Sequence, residues 1–279
     1  MRIGFISQLL WDRYGDFWVK LFGEFDAEIH FASAESSLAL MQDERLATIP
    51  GWSFKLAAAQ ALSLLEVDLL LAPDLNWGEY GQKASGQDPW IANFPETLQR
   101  QFAALPPVLA VPAWLEPEIE SLVTTSLMNI SHDPAKVRRA WERHRGRLKP
   151  QRFVEPRWIK RASEKEMVGL LAQPWTTAKD FLNLPETSYL IRQSQLDPKV
   201  LRAEGMRFDP KLIPTDQEVM GAARLLARRG SVDRLIFLAD KDAGADQNLY
   251  SRVQKLVHKP LELVYLQDLT SPEQVVISL

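Results

Sequence analysis

Polar side chains and tryptophans follow the ends of several predicted strands in this sequence. Open α/β sheets bind ligands beyond the carboxyl ends of their strands, where loops converge and helix N-termini present free N–H groups. These loops therefore supply the candidate binding residues, which would line a polar cleft with aromatic walls if two domains face each other. The ligand-binding candidates are Ser7, Gln8, Trp11, Lys55, Asp88, Gln173, Trp175 and Asp246.

The same residues also have structural interpretations. Ser7 and Asp246 are suited to cap helices, and Trp11 and Trp175 can pack an interface. Loop aspartates after a strand could bind magnesium through their carboxylates, although such residues commonly form turns and caps. The three aspartates in question are Asp240, Asp242 and Asp246. We predict no metal site and assign no catalytic residue from this pattern.

The chain contains no cysteine. Its composition therefore excludes disulfides, thiolate nucleophiles, Cys-ligated zinc and iron–sulfur clusters held by cysteine. The sequence also lacks a Gly-x-Gly-x-x-Gly fingerprint, a Walker loop and a Gly-x-Ser-x-Gly elbow. Common forms of dinucleotide binding, P-loop hydrolysis and α/β-hydrolase chemistry thus have no support, and we expect no cofactor.

The overall charge of −3 hides a basic segment from Lys136 to Arg161. This segment has eleven Lys or Arg residues and only two acidic ones, Glu142 and Glu155. It could bind the phosphates of a nucleotide or of coenzyme A. The alternative is a solvated helix and linker whose long side chains cover apolar surface. We expect no nucleic-acid binding, because few aromatic residues lie among the basic ones.

The elements that must position these residues alternate between strands and helices. Short apolar runs predict buried parallel strands, and apolar residues at helical spacing predict the helices between them. With 279 residues, 46% of them hydrophobic, the chain is long enough for two cores. In the first half, the predicted strands cover residues 2–6, 28–31, 67–72 and 107–112, and the predicted helices cover 14–25, 54–65, 94–104 and much of 116–148.

A stretch with two prolines and no periodicity, residues 149–164, predicts a linker. It separates an N-terminal α/β domain with a helical extension, residues 1–148, from a C-terminal α/β domain, residues 165–279. The predicted fold class is two similar doubly wound, flavodoxin-like or Rossmann-like parallel-sheet domains that face each other across a cleft. In the second half, the predicted strands lie near 167–172, 232–239 and 261–266, with a helix that carries Val219, Ala222, Ala223 and Leu226 on one face.

The two halves share identical residues at one fixed offset of 165 positions. Each pair falls on a corresponding predicted strand or loop. A duplicated domain explains the pairs, and two independent α/β domains are also compatible with them. The pairs are Gly4 and Gly169, Gln8 and Gln173, Val67 and Val232, and Asp68 and Asp233.

The opening residues 2–6, followed by Tyr14-Gly15-Asp16-Phe17-Trp18 and Phe22, resemble the start of a known family. This is the 2-hydroxyglutaryl-CoA dehydratase D-component family, which includes proteins related to CoA-enzyme activases. Its members open on a segment of the type Lys-Ile-Gly-Ile-Pro-Arg, followed by Tyr-x-Pro-Phe-Trp and a helix. The resemblance continues in order along nearly the whole chain, at Lys55-Leu56, Val67-Asp68, Pro73, Asp88-Pro89, Gly221-Ala222-Ala223, Val232-Asp233 and Gly244-x-Asp246.

The resemblance implies three cysteine positions, and this chain has another residue at each. Gly51 stands in the match to Cys-Phe-Pro-Val-Lys-Leu, Asp88 in the match to Cys-Pro, and Ala243 in the match to Cys-Gly-Pro-Asp. In the family, these cysteines are expected to hold a four-iron four-sulfur cluster that delivers the electron for a radical dehydration. Gly51 and Ala243 offer no donor atom and Asp88 offers a hard oxygen, so the reaction cannot run here as the family runs it.

These observations leave two hypotheses for function. The first is a cluster-free, non-redox relative of the dehydratase components that acts as an accessory subunit, with a cluster-bearing homologue or a second copy of itself as partner. The second is a protein, or a non-redox enzyme, that binds an acyl-CoA or a nucleotide in the interdomain cleft. No segment is apolar enough to span a bilayer, and the N-terminus runs directly into a strand pattern, so we expect a cytoplasmic protein.

Overall fold

Both halves of the chain form α/β units with parallel sheets, as the sequence predicts. The computed structural model describes residues 1–75, 89–113, 115, 119–148, 166–176 and 188–270. The chain divides into two compact units, Met1–Pro150 and Gln151–Leu279, and each contains a four-stranded sheet. Within the described ranges, no helix is long and apolar enough to cross a membrane.

The first unit places its first strand inside the sheet. Its strands are β1 (Arg2–Phe5), β2 (Glu28–Phe31), β3 (Leu69–Asp74) and β4 (Val108–Pro112). They pair in parallel in the order β2-β1-β3-β4, so the sheet grows in opposite directions on the two sides of β1. The helices are α1 (Trp11–Gly23), α2 (Ala34–Leu40), α3 (Trp52–Leu62), α4 (Pro89–Ala92), α5 (Phe94–Gln101), α6 (Glu120–Met128) and α7 (Pro134–His144).

The second unit repeats this arrangement. Its strands are β5 (Glu166–Leu171), β6 (Ser188–Arg192), β7 (Arg234–Ala239) and β8 (Leu261–Tyr265). They also pair in parallel, in the order β6-β5-β7-β8. The order therefore changes direction between β5 and β7, as it does between β1 and β3. The helices of this unit are α8 (Pro198–Phe208), α9 (Pro214–Arg228) and α10 (Gly244–Leu256).

An aspartate ties the first strand of each sheet to the third strand in the same way. In the first unit, the N–H of Arg2 donates to Oδ2 of Asp68 at 2.7 Å, and the N–H of Asp68 donates back to the Arg2 carbonyl at 2.9 Å. In the second unit, Met167 and Asp233 exchange the same two bonds, at 2.7 and 2.8 Å. Both pairs are 66 residues apart. Adding the offset of 165 to the residue numbers of the first pair gives those of the second pair. The two sheets therefore have the same register between these strands, which supports a duplicated domain.

Helix α1 buries the face that its apolar spacing predicts. Phe17, Trp18 and Leu21 are buried, and Nε1 of Trp18 donates to the carbonyl of Pro112 in β4 at 3.4 Å. The helix begins at Trp11, earlier than the predicted start at residue 14. The difference arises because the chain turns sharply at residues 9 and 10, both of which have positive φ.

Two glycines allow α8 and α9 to approach each other closely. A Cβ atom at Gly221 would lie 1.8 Å from the carbonyl oxygen of Leu201, and one at Gly205 would lie 2.1 Å from that of Gln217. Both clashes are with backbone atoms, so a helix would have to move to relieve them. The apolar face predicted for this region packs into the core of the second unit through Val219, Ala222, Ala223 and Leu226.

We expect Gly221→Ala to destabilise the second unit by about 1–3 kcal/mol, the range typical of overpacked cores, because α8 must shift to admit the methyl group. Gly230→Ala is the matched control, since nothing lies within 4 Å of a Cβ atom at that position. Its free energy of unfolding should change by less than about 1 kcal/mol. Urea denaturation followed by far-UV circular dichroism measures both variants. Equal stability of the two would contradict the close packing.

Candidate functional site

The second sheet ends in a cluster of polar side chains. Gln173 follows β5 in the loop at its carboxyl end, and Asp240 directly follows β7. Because β5 and β7 are parallel neighbours, their carboxyl ends meet at one edge of the sheet, where the strand order changes direction. Asp216 and Asp246 lie in the first turns of α9 and α10. We call these four residues the Gln173 cluster.

Hydrogen bonds and close approach link the members of the Gln173 cluster. Nε2 of Gln173 donates to Oδ1 of Asp216 at 3.1 Å, and the Gln173 side chain lies close enough to the carboxyl group of Asp246 to lower its pKa. Oδ2 of Asp246 accepts the N–H of Asp240 at 2.9 Å. Oδ1 of Asp240 accepts from Nε2 of Gln267 at 2.5 Å. The amide of Gln173 therefore lies between two carboxyl groups.

Burial raises the pKa of both carboxyl groups that Gln173 contacts. Loss of water is the main reason that the pKa of Asp246 is raised to about 6, and the charges of Asp240 and Asp216 act in the same direction. Burial also raises the pKa of Asp216, against the opposing effects of the Gln173 hydrogen bond and the charge of Arg252. Among the described residues, neither carboxylate forms an ion pair with a Lys, Arg or His side chain.

The carbonyl oxygen of the Gln173 amide is buried without a partner. The side chain is only 4% exposed, and Oε1 accepts no hydrogen bond from any described residue. A buried acceptor left unpaired costs about 1–3 kcal/mol, and most such atoms in proteins are satisfied by protein, water or a bound group. Oγ1 of Thr215, beside Asp216, is also buried without a partner among the described residues. The same holds for Nε2 of Gln193, whose Oε1 accepts the N–H of Ala172 at 3.4 Å.

The first unit has no carboxylate at the positions equivalent to Asp216, Asp240 and Asp246. Gln8, the equivalent of Gln173, is 2% exposed, and its Oε1 likewise has no partner among the described residues. Oγ of Ser7 accepts from Nε2 of Gln60 at 3.1 Å. Under the 165-residue offset, Gly51 stands opposite Asp216 and Leu75 opposite Asp240. The two units thus share the buried glutamine but not the carboxylates around it.

The remaining binding candidates do not join either glutamine through described hydrogen bonds. The ring of Trp11 lies 5.6 Å from that of Phe5 and 5.4 Å from that of Tyr14, so it packs within the first unit. Lys55 is half-buried in the first turn of α3, and Trp175 is half-buried in the loop that holds Gln173. Asp88 lies outside the described residues.

The helix-cap interpretation is wrong for Ser7 and Asp246. Helix α1 has Leu10 at its N-cap, without a side-chain cap, and the Ser7 hydroxyl binds Gln60 instead. Helix α10 has Ala243 at its N-cap, and the Asp246 carboxylate accepts an N–H from the loop before the helix. The Asp246 carboxylate therefore binds the loop that follows β7 and does not cap the N-terminus of its own helix.

The described residues contain no group of three or more His, Cys, Asp or Glu side chains that could hold a metal ion. The loop aspartates considered for magnesium thus do not assemble into such a site. Of the positions where the family resemblance implies cysteine, Gly51 has φ 75° and ψ 149°. This conformation is strained for any residue other than glycine, so a cysteine there would require a different backbone.

The described part of the basic segment forms ion pairs with acidic residues of the first unit. Nζ of Lys136 lies 3.4 Å from Oδ2 of Asp26, and a guanidinium nitrogen of Arg145 lies 2.8 Å from Oε2 of Glu142. Arg143 pairs with Glu24, and Arg147 lies 4.0 Å from Asp16. These contacts favour the interpretation of a solvated helix face over a phosphate site. Residues 149–161 of the segment lie outside the described residues.

Sequence analysis missed Asp216, although a signal for it exists. The residue follows Pro214 in the first turn of a helix, where acidic residues are common for purely local reasons. The repeat offset, however, places Asp216 opposite Gly51, at the start of the corresponding helix in the first unit. Comparing the two halves position by position would have identified the site where the second unit gained a carboxylate.

We expect Asp246→Asn to become more stable relative to the wild type as the pH rises from about 4 to about 7. The folded pKa of Asp246, about 6, lies above the ordinary value of 3.8, so the unfolded chain loses this proton first and wild-type stability falls between the two values. By neutral pH the difference should be on the order of 3 kcal/mol. Urea denaturation across this pH range measures it.

Asp68→Asn is the control of opposite sign. Hydrogen bonds from Arg2 lower the pKa of Asp68, so its carboxylate stabilises the fold above the ordinary pKa and that contribution is lost as the pH falls. Asp68→Asn should therefore lose stability relative to the wild type at neutral pH. A pH-independent stability difference for Asp246→Asn would contradict the desolvation of its carboxylate.

Comparison of the chain with protein-family models, with curated proteins and with solved structures finds no match. Membership of the dehydratase family, and with it a cluster-bearing partner, therefore stays a prediction that rests on the residues of the sequence. The candidate site rests on its own geometry.

Proposed function

We propose that the protein binds a small polar molecule at the Gln173 cluster of its second unit. The observation that carries this proposal is the buried Oε1 of Gln173, which has no partner among the described residues although the amide lies beside two carboxyl groups at the carboxyl edge of the sheet. Of the two functions considered from the sequence, this supports small-molecule binding. The role of accessory subunit rests on the family resemblance and stays a prediction.

The position of the cluster in the sheet supports a binding role. We take both units to be doubly wound in the flavodoxin-like manner, since the order β6-β5-β7-β8 corresponds to the first four strands of that topology. In such sheets ligands bind where the strand order changes direction, between the loops after the two central strands. Gln173 and Asp240 lie on those two loops. A cleft between the two units stays a prediction.

The energetics of the cluster also favour a binding role over a purely structural one. Desolvated carboxylates without ion pairs and an unpaired amide oxygen each reduce the stability of the fold. Apolar side chains of similar size would avoid these costs. Groups whose pKa is strongly shifted by burial are concentrated at functional sites, because such sites trade stability for recognition or chemistry. A bound molecule that supplies hydrogen bonds would offset the costs.

The difference between the two units provides the comparison that tests the proposal. Gln173→Met removes the buried amide while keeping similar volume, and Gln8→Met makes the same change at the equivalent position of the first unit. The test measures the melting temperature of each variant with a panel of polar metabolites grouped by charge, including acyl-CoA esters and nucleotides. A ligand specific for the folded state raises the melting temperature by mass action.

We expect at least one class of compound to stabilise the wild type and Gln8→Met by the same amount. At a hundredfold excess over the dissociation constant, the gain is about 2.7 kcal/mol. The gain should disappear in Gln173→Met. A panel in which no compound stabilises the wild type, or one in which Gln173→Met responds as fully as Gln8→Met, would contradict the proposal.

A further inference from the structure

We propose that the molecule bound at the Gln173 cluster carries a primary ammonium group, whose N–H donors are accepted by Asp216, Asp246 and Oε1 of Gln173. This inference rests on the proposed function and names the chemical class of the ligand.

The cluster offers mainly acceptors. An ionised carboxylate has about four lone-pair sites, and Asp216 and Asp246 use only some of them in the hydrogen bonds described above. Oε1 of Gln173 uses none within the described chain. An ammonium group has three N–H donors and no acceptor, so it matches three such groups. A carboxylate or phosphate ligand would instead meet acceptors of its own kind.

Among the described residues, no basic side chain forms an ion pair with Asp216 or Asp246. Lys241, which follows Asp240 in the chain, and Arg252, whose charge lowers the pKa of Asp216, both pair with other carboxylates. Nζ of Lys241 donates to Asp268 at 2.5 Å and lies 5.2 Å from the centre of the Tyr265 ring. Arg252 pairs with Asp209 at 3.1 Å. A ligand cation would supply the charge that the two desolvated carboxylates lack.

A metal ion is the less suitable cation for this site. Magnesium and calcium require six or more oxygen ligands in a compact shell. The described residues do not bring three acidic or histidine side chains together in that way. An amine needs only hydrogen-bond geometry, and Asp216, which is partly exposed, gives it a route from solvent.

The pH dependence of binding follows from the same groups. Among the described residues, the charged groups on the elements that meet at Asp246 are Asp216 on α9, Asp240, Lys241 and Asp242 after β7, Arg252 on α10, and Asp268 after β8. A cation prefers the ionised form of Asp246, whose pKa is about 6. One pH unit below that value only about a tenth of the carboxyl groups is ionised. The affinity for an amine should therefore fall about tenfold between about pH 7 and about pH 5.

The test uses matched pairs of compounds on the full-length protein. Ethanolamine, 1,4-diaminobutane and lysine amide are each compared with their fully N-acetylated counterparts, which carry no ammonium group but are larger, and ethylene glycol serves as an uncharged compound similar in size to ethanolamine. Potassium chloride at equal ionic strength controls for screening, and magnesium and calcium chloride are tested separately. Melting temperature provides the first readout, and isothermal titration calorimetry gives the affinity and its pH dependence.

Variants separate a specific site from general negative charge. Asp246→Asn and Asp216→Asn remove the proposed acceptor charges, whereas Asp242→Asn removes an exposed carboxylate from the same loop. We expect at least one amine to stabilise the wild type and Asp242→Asn, and its acetylated counterpart to have no effect. Affinity should fall at least tenfold in Asp246→Asn, and the pH dependence near pH 6 should disappear.

The outcomes distinguish this inference from the proposed function. If neutral or anionic compounds stabilise the wild type but not Gln173→Met, and amines stabilise neither, the ammonium assignment is wrong and the proposed binding site is retained. Tighter binding of magnesium or calcium than of any amine would also overturn the assignment. If no compound of either panel stabilises the wild type more than it stabilises Gln173→Met, both the ammonium assignment and the proposed function are wrong.

Discussion

The side chain of Gln173, two residues beyond the end of a central parallel strand, is almost fully buried, and the candidate site of the second unit depends on how its amide is hydrogen-bonded there. Strand β5 is paired on both sides, and the reciprocal bonds between Met167 and Asp233 hold it in register with β7. The amide of Gln173 must therefore find partners inside the protein. Its nitrogen donates to Asp216 and the side chain lies beside Asp246, and burial raises the pKa of both carboxyl groups. Its oxygen has no partner among the described residues. The candidate site is the result of this incomplete pairing.

The two units show how one framework can hold different chemistry. They share the strand order, the aspartate that joins the first strand to the third, and the buried glutamine. They differ in the residues that surround that glutamine. In the first unit its neighbourhood contains Ser7 and Gln60, which are neutral, and in the second it contains Asp216 and Asp246. The framework depends on apolar packing and main-chain hydrogen bonds, so the strand ends were free to diverge.

Much of the fold could be predicted from apolar periodicity, because the buried strands and the inner helix faces have little choice of residue. The prediction of the helices was less accurate where local turns or exposed polar residues determine where a helix begins and ends. The region 116–148, expected to be largely helical, is divided into α6 and α7, and the N-cap aspartate Asp133 starts the second of them. Helices α2, α8 and α10 have many exposed positions, which weakens the apolar periodicity of their sequences.

Gln173 and Asp246 were predicted as candidates from their strand-end positions. Asp216 was not, since its role depends on contact with a residue 43 positions away.

The measurement that tests the site most directly is an NMR titration of the side-chain amide signals of glutamine, with Gln173 and Gln8 assigned from their methionine variants. The titrant is whichever amine most stabilises the wild-type protein, added at neutral pH. We predict that the Gln173 signals shift and saturate with the affinity measured by calorimetry, while those of Gln8 stay in place. Signals of Gln173 that do not move, or that move no more than those of Gln8, would contradict binding at the Gln173 cluster.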